Sequence, residues 1–106
     1  MATIVTVGRN YGKGPLKGKP MDDTLWNQFR SKVETLLFTL LKLEPYTKAT
    51  GKGWYEAQIE DCAIWVVSDV KVRDLPSLTK GLKALALDYS QDSIALQLGE
   101  THFIKP

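Results

Sequence analysis

The chain has 106 residues and a mass of 11.9 kDa, the size of one ordinary domain, which excludes a composite enzyme with separate catalytic and regulatory modules. Its make-up is 43% hydrophobic and 25% charged, with five prolines and eight glycines, as in an average soluble globular protein, and excludes disorder, collagen-like repeats and low complexity. Fourteen basic against twelve acidic residues leave a net charge of +2, too small to draw the whole domain to nucleic acid or a membrane.

Charge distribution says more than the total. Residues 1–20 carry Arg9, Lys13, Lys17 and Lys19 with no acidic residue, so the positive field is local. The one cysteine, Cys62, cannot form an internal disulfide, and with the one histidine, His102, it cannot furnish a zinc tetrahedron. No structural metal and no cofactor is expected. The apolar start, Met1 to Val7, is too short for a signal peptide, and no run reaches the ~18 residues of a membrane span, so a reducing, cytoplasmic setting is expected.

The β-branched run Thr3 to Val7 predicts a first strand. Gly8 to Pro20 holds four glycines and two prolines, and predicts a loop longer than compact domains ordinarily use. Asp22 then marks a helix start as a capping residue, with Met21 placed to staple onto Trp26. Trp26, Phe29, Val33, Leu36, Leu37 and Leu40 recur at spacings of three and four, which puts them on one helical face. Pro45 predicts an end near Leu43.

Trp54 to Ile59 alternates as a half-buried strand, with Glu60-Asp61 as the expected hairpin turn. Cys62 to Val67 is apolar on both faces and predicts a central strand. A second helix is expected from Leu75 to Tyr89, with Pro76 in its first turn and Gly81 as a costly interior residue, tolerable where the backbone approaches a sheet closely. Ile94 to Leu98 predicts a fourth strand, Gly99-Glu100 a turn, and Thr101 to Ile104 a short fifth strand.

The order strand, helix, strand, strand, helix, strand is that of the ferredoxin-like βαββαβ architecture. The expectation is one α+β domain over residues 1–106. It consists of an antiparallel sheet with two helices on one face and a short C-terminal strand extension.

The basic glycine loop lies between a strand and a helix, where amides, a helix dipole and Arg9 could hold an anion. It fits neither the dinucleotide nor the Walker fingerprint, and a flexible lysine-solubilised loop is the simpler alternative. Lys52-Gly53-Trp54-Tyr55 resembles part of an RNA-recognition motif but falls on the wrong strand, so nucleic acid is not the expected partner. Trp54 and Trp65 are instead the aromatics expected on the sheet face away from the helices, in a homodimer interface. His102 lacks a legible triad partner, Cys62 reads as a buried small hydrophobe, and Glu60-Asp61 reads as a solvated turn.

Gly8-Arg9-Asn10, Trp26 with Phe29, Gly53-Trp54 and Gln91-Asp92-Ser93 form an ordered set. It resembles a family of uncharacterised small bacterial domains with a Gly-Arg start, a Trp-x-x-Phe helix, a Gly-x-Trp segment and a Gln-(Glu/Asp)-Ser strand entry. The lysine-glycine insertion from Lys13 to Lys19 and the lack of an export signal depart from that pattern. The resemblance implies a ferredoxin-like fold, and implies that Arg9, Asn10, Gln91 and Ser93 converge to orient a ligand.

With no legible nucleophile, metal set or acid–base pair, the expectation leans away from an enzyme and names no catalytic residue. The leading reading is a non-catalytic, homodimeric binding or assembly domain. Arg9, Asn10, Lys13, Lys17, Lys19, Gln91 and Ser93 would hold an anionic small molecule or an acidic protein surface. The alternatives are a small enzyme of the dimeric α+β barrel type, using His102 or a carboxylate for proton transfer, and a viral or mobile-element accessory protein acting by protein contact.

Overall fold

The computed structural model describes residues 3–41, 47–55, 58–67, 70–99 and 101–106, with side chains described outside 41–50 and 52–59. The elements run β1 (Thr3–Gly8), α1 (Asp23–Leu41), β2 (Thr47–Tyr55), β3 (Gln58–Val67), α2 (Leu75–Asp88), β4 (Ile94–Gln97) and β5 (Thr101–Ile104). A 3-10 turn at Val72–Asp74 leads into α2.

The five strands form one sheet in the order β2-β3-β1-β4-β5, with every neighbouring pair antiparallel. The first four strands have the expected ferredoxin-like arrangement. The terminal extension pairs with β4, placing Phe103 opposite Ala95 and His102 opposite Leu96.

Strand alternation decides which residues meet the helices. Val5 and Val7 of β1, Ala63, Trp65 and Val67 of β3, and Ile94 and Leu96 of β4 are buried in one core. Trp26, Phe29, Val33 and Leu37 of α1 join them there, with Leu78, Leu82 and Ala86 of α2. The apolar positions at helical spacing are the ones that meet the sheet, as amphipathic periodicity requires. Asp22 caps α1 by accepting the Leu25 N–H at 2.8 Å. Met21 and Trp26, the two residues of the expected staple, are both buried in that core.

Two expectations are corrected here. Trp65 is not on an interface: it is 2% exposed beneath α1, and its indole N–H donates to Glu34 Oε1 at 3.2 Å. Burying the ring with its one polar hydrogen satisfied is worth more than displaying it. The side chain of Trp54, the other proposed interface aromatic, lies outside the described residues. Secondly, Glu60-Asp61 is not a turn. Both residues lie inside β3, opposite Gly53 and Lys52 of β2, because the hairpin closes earlier, between Tyr55 and Gln58.

Ile4, Thr6 and Gly8 of β1 share the other sheet face with Glu60, Cys62, Ile64 and Val66 of β3. Among the described residues, no helix is long and apolar enough to cross a membrane.

Candidate functional site

β1 ends at Gly8, and the chain turns away there while staying bonded to the sheet. The Arg9 N–H donates to the Asp61 carbonyl at 2.9 Å. The segment that follows is an ordered excursion. Asn10 bridges to Pro20, Tyr11 N–H bonds Lys19 O at 2.9 Å, Gly18 N–H bonds Tyr11 O at 2.8 Å, and Met21 N–H returns to Arg9 O at 3.0 Å. Its stem is also tied to the turn after α2, where Gly12 N–H meets Ser90 O at 2.9 Å.

This settles what the loop backbone can do. The amides of Arg9, Asn10, Tyr11, Gly12, Lys17, Gly18, Lys19 and Met21 all donate within the chain. A cradle of free N–H groups is therefore not formed by these residues. Lys13, Lys17 and Lys19 lie at exposed positions of the loop. Arg9 points into the protein's own carboxylates. Its Nε donates to Met21 O at 2.8 Å, Nη2 to Asp23 Oδ1 at 2.7 Å, and Nη1 lies 3.9 Å from Asp61 Oδ2. It clamps the loop end and the start of α1 onto β3.

Two of the residues named from sequence, Asn10 and Gln91, come together. Gln91 is 4% exposed, and its Nε2 donates to the carbonyls of Asn10 at 3.1 Å and Tyr89 at 3.3 Å. Gln91 acts inside the protein here, since its donor group is engaged by two carbonyls.

The residue whose place sequence reasoning misread is Glu60, taken for a turn residue. Its carboxylate lies over Gly8, where an added Cβ would stand 2.2 Å from Oε1, and Oε2 accepts the Asn10 N–H at 2.9 Å. A side chain at position 8 would push this end of Glu60 aside. Burial raises the Glu60 pKa above the usual carboxylate range, and the Asn10 N–H offsets part of that rise. A half-buried carboxylate held by a main-chain donor, on an otherwise weakly polar sheet face, makes Glu60 a candidate functional group. The available signal was an acidic residue heading an apolar strand run opposite a glycine-ended one.

His102 lies elsewhere. It is exposed on β5, opposite Leu96, three strands across the sheet from Glu60, and its pairing puts it on the opposite sheet face. Cys62 is buried with its Sγ 3.9 Å from the Glu60 carbonyl. Among the described residues, no group of three or more His, Cys, Asp or Glu side chains could hold a metal ion.

No protein-family profile and no curated sequence matches the chain. Two solved structures do. A phage SAM lyase in its apo state superposes with a TM-score of 0.61 at 17% identity, covering 99% of this chain and 88% of that one. A phage SAM lyase in complex with S-methyl-5'-thioadenosine gives 0.62 at 16% identity with the same coverage. The likeness is one of fold. It also overturns the expectation of a non-catalytic binding or assembly domain, because the solved chains sharing this architecture along nearly its whole length are those of an enzyme. With Glu60-Asp61 read as a turn, the sequence offered no carboxylate placed on the sheet, whereas both residues lie in β3.

Proposed function

We propose that this protein is a small lyase that cleaves S-adenosylmethionine and releases S-methyl-5'-thioadenosine. The observation that carries the reading is the shared fold along 99% of the chain with a phage SAM lyase. Glu60, held over Gly8 by the Asn10 N–H, is a carboxylate suited to the chemistry. The substrate is a sulfonium with an α-ammonium group, and a partly desolvated carboxylate attracts such a cation more strongly than one in bulk water.

A balanced route uses the substrate's own groups. Its carboxylate oxygen attacks the γ-carbon, the carbon–sulfur bond breaks, and the bonding pair goes to sulfur, discharging the sulfonium as neutral thioether. The four-carbon fragment leaves as a lactone and no water is consumed. Elimination would need Glu60 to take a proton from an unactivated carbon, which lies far outside the reach of a carboxylate. Glu60 therefore pairs with the α-ammonium group and holds the carboxylate end of the substrate for attack.

The test is incubation of the purified protein with S-adenosylmethionine, following the thioether by chromatography and the amino-acid fragment by proton NMR. Wild-type protein is expected to release both products, and Glu60→Gln to lower kcat/KM by about a hundredfold or more with the fold retained. No thioether after hours at micromolar protein, or Glu60→Gln turning over at the wild-type rate, would refute the reading.

A further inference from the structure

Gln91 stands between the end of α2 and the start of β4, and a carboxamide brought to 4% exposure requires partners inside the protein. It finds them in two segments that otherwise have separate origins. Asn10 belongs to the bend leaving β1 and Tyr89 to the C-terminal end of α2, and Nε2 donates to both carbonyls.

Asn10 is flanked by two peptide groups, and the partner of each polar atom is known. In the preceding peptide, the Arg9 carbonyl accepts the Met21 N–H at 3.0 Å and the Asn10 N–H donates to Glu60 Oε2 at 2.9 Å. In the following peptide, the Tyr11 N–H donates to Lys19 O at 2.9 Å and the Asn10 carbonyl accepts from Gln91 at 3.1 Å. Main chain or Glu60 itself holds three of these four atoms. The fourth is held by the Gln91 side chain, which is anchored in turn by Tyr89.

We propose that Gln91 is a positioning residue for the Glu60 carboxylate: by gripping the Asn10 carbonyl it keeps the Asn10 N–H aimed at Oε2. As a statement about catalysis this rests on Glu60 being the acting carboxylate of the lyase reading. As a statement about geometry it stands without any substrate. An apolar residue of the same length could fill the space, but it would leave the Asn10 carbonyl unpaired and remove one of the four bonds that fix the bend around the Asn10 N–H. The charged neighbours are already engaged elsewhere, Arg9 with Asp23 and Asp61, so they do not replace this grip.

The experiment compares wild type with Gln91→Met, reading Glu60 by carboxyl-carbon NMR titration and activity on S-adenosylmethionine. Because the Asn10 N–H favours the ionised carboxylate, weakening that bond moves the Glu60 midpoint further upward, by about half a unit or more. In the same variant kcat falls about tenfold while KM stays within about twofold. Should Gln91→Met fail to fold, Gln91→Asn takes its place, keeping a carboxamide that is one methylene too short to span the two carbonyls. A folded variant whose Glu60 midpoint matches wild type would overturn the proposal. The titration uses no substrate. Wild-type protein that turns over no S-adenosylmethionine would thus refute the lyase reading, while the Glu60 midpoint alone decided the role of Gln91 in placing the carboxylate.

Discussion

At the scale of single residues, Gly8 and Glu60 form a matched pair. The carboxylate occupies the volume that any side chain at position 8 would claim, since an added Cβ stands 2.2 Å from Oε1 and 2.6 Å from Oε2. Gly8→Ala therefore displaces the carboxylate and breaks its bond with the Asn10 N–H. The expected outcome is a folded protein whose Asn10 amide proton no longer follows the Glu60 titration, with kcat/KM reduced about tenfold or more. Amide proton shifts across pH check the first part and product release the second. An Asn10 amide that still tracks Glu60 would show that the carboxylate had simply shifted with the new methyl group. Asn10 and Gln91, which meet in the structure, were named in the sequence among its candidate polar residues. The place of Glu60 was not legible there, because its meaning depends on lying above a glycine fifty-two positions away.

At the scale of elements, Gly81 shows how a helix gives up propensity for contact. A Cβ there would meet the methyls of Leu36 on α1 at 2.6 and 2.8 Å, so the close approach is between the two helices and not, as expected, between helix and sheet. Gly81→Ala gains about 1 kcal/mol of helix propensity but overpacks the α1–α2 contact, a fault that costs about 1–3 kcal/mol. A net loss of about 1 kcal/mol is expected in chemical denaturation. With Leu36→Ala already present, Gly81→Ala should become stabilising, a change of sign that a double-mutant cycle reads directly. The helices themselves were legible because their 3.6-residue period persists over several turns. The hairpin was not: alternation runs unbroken from Trp54 to Ile59, across the point where β2 gives way to β3, and a period of two carries no mark of a tight turn. The expected strand began only at Trp54, yet β2 already starts at Thr47 and places Gly51 and Gly53 opposite Cys62 and Glu60 within the sheet, where cross-strand pairing outweighs weak local preference.

At the scale of the whole molecule, the Glu60 site sets stability against readiness for chemistry. Burial raises the Glu60 pKa in the folded chain, so the folded state binds this proton more tightly than the unfolded state does. For such a group the favourable contribution is fully present below the unfolded pKa and is lost as pH rises through the folded one. At neutral pH the ionised Glu60 is therefore a standing cost. Glu60→Gln, which cannot ionise, should melt higher than wild type at neutral pH. The gap should close as pH falls through the raised Glu60 value toward the usual carboxylate range. Melting curves for the two proteins at a series of pH values make the comparison, with the other carboxylates common to both. A constant gap across that window would mean that Glu60 titrates alike in the folded and unfolded chains, and that the sheet face above Gly8 is wetter than its geometry implies.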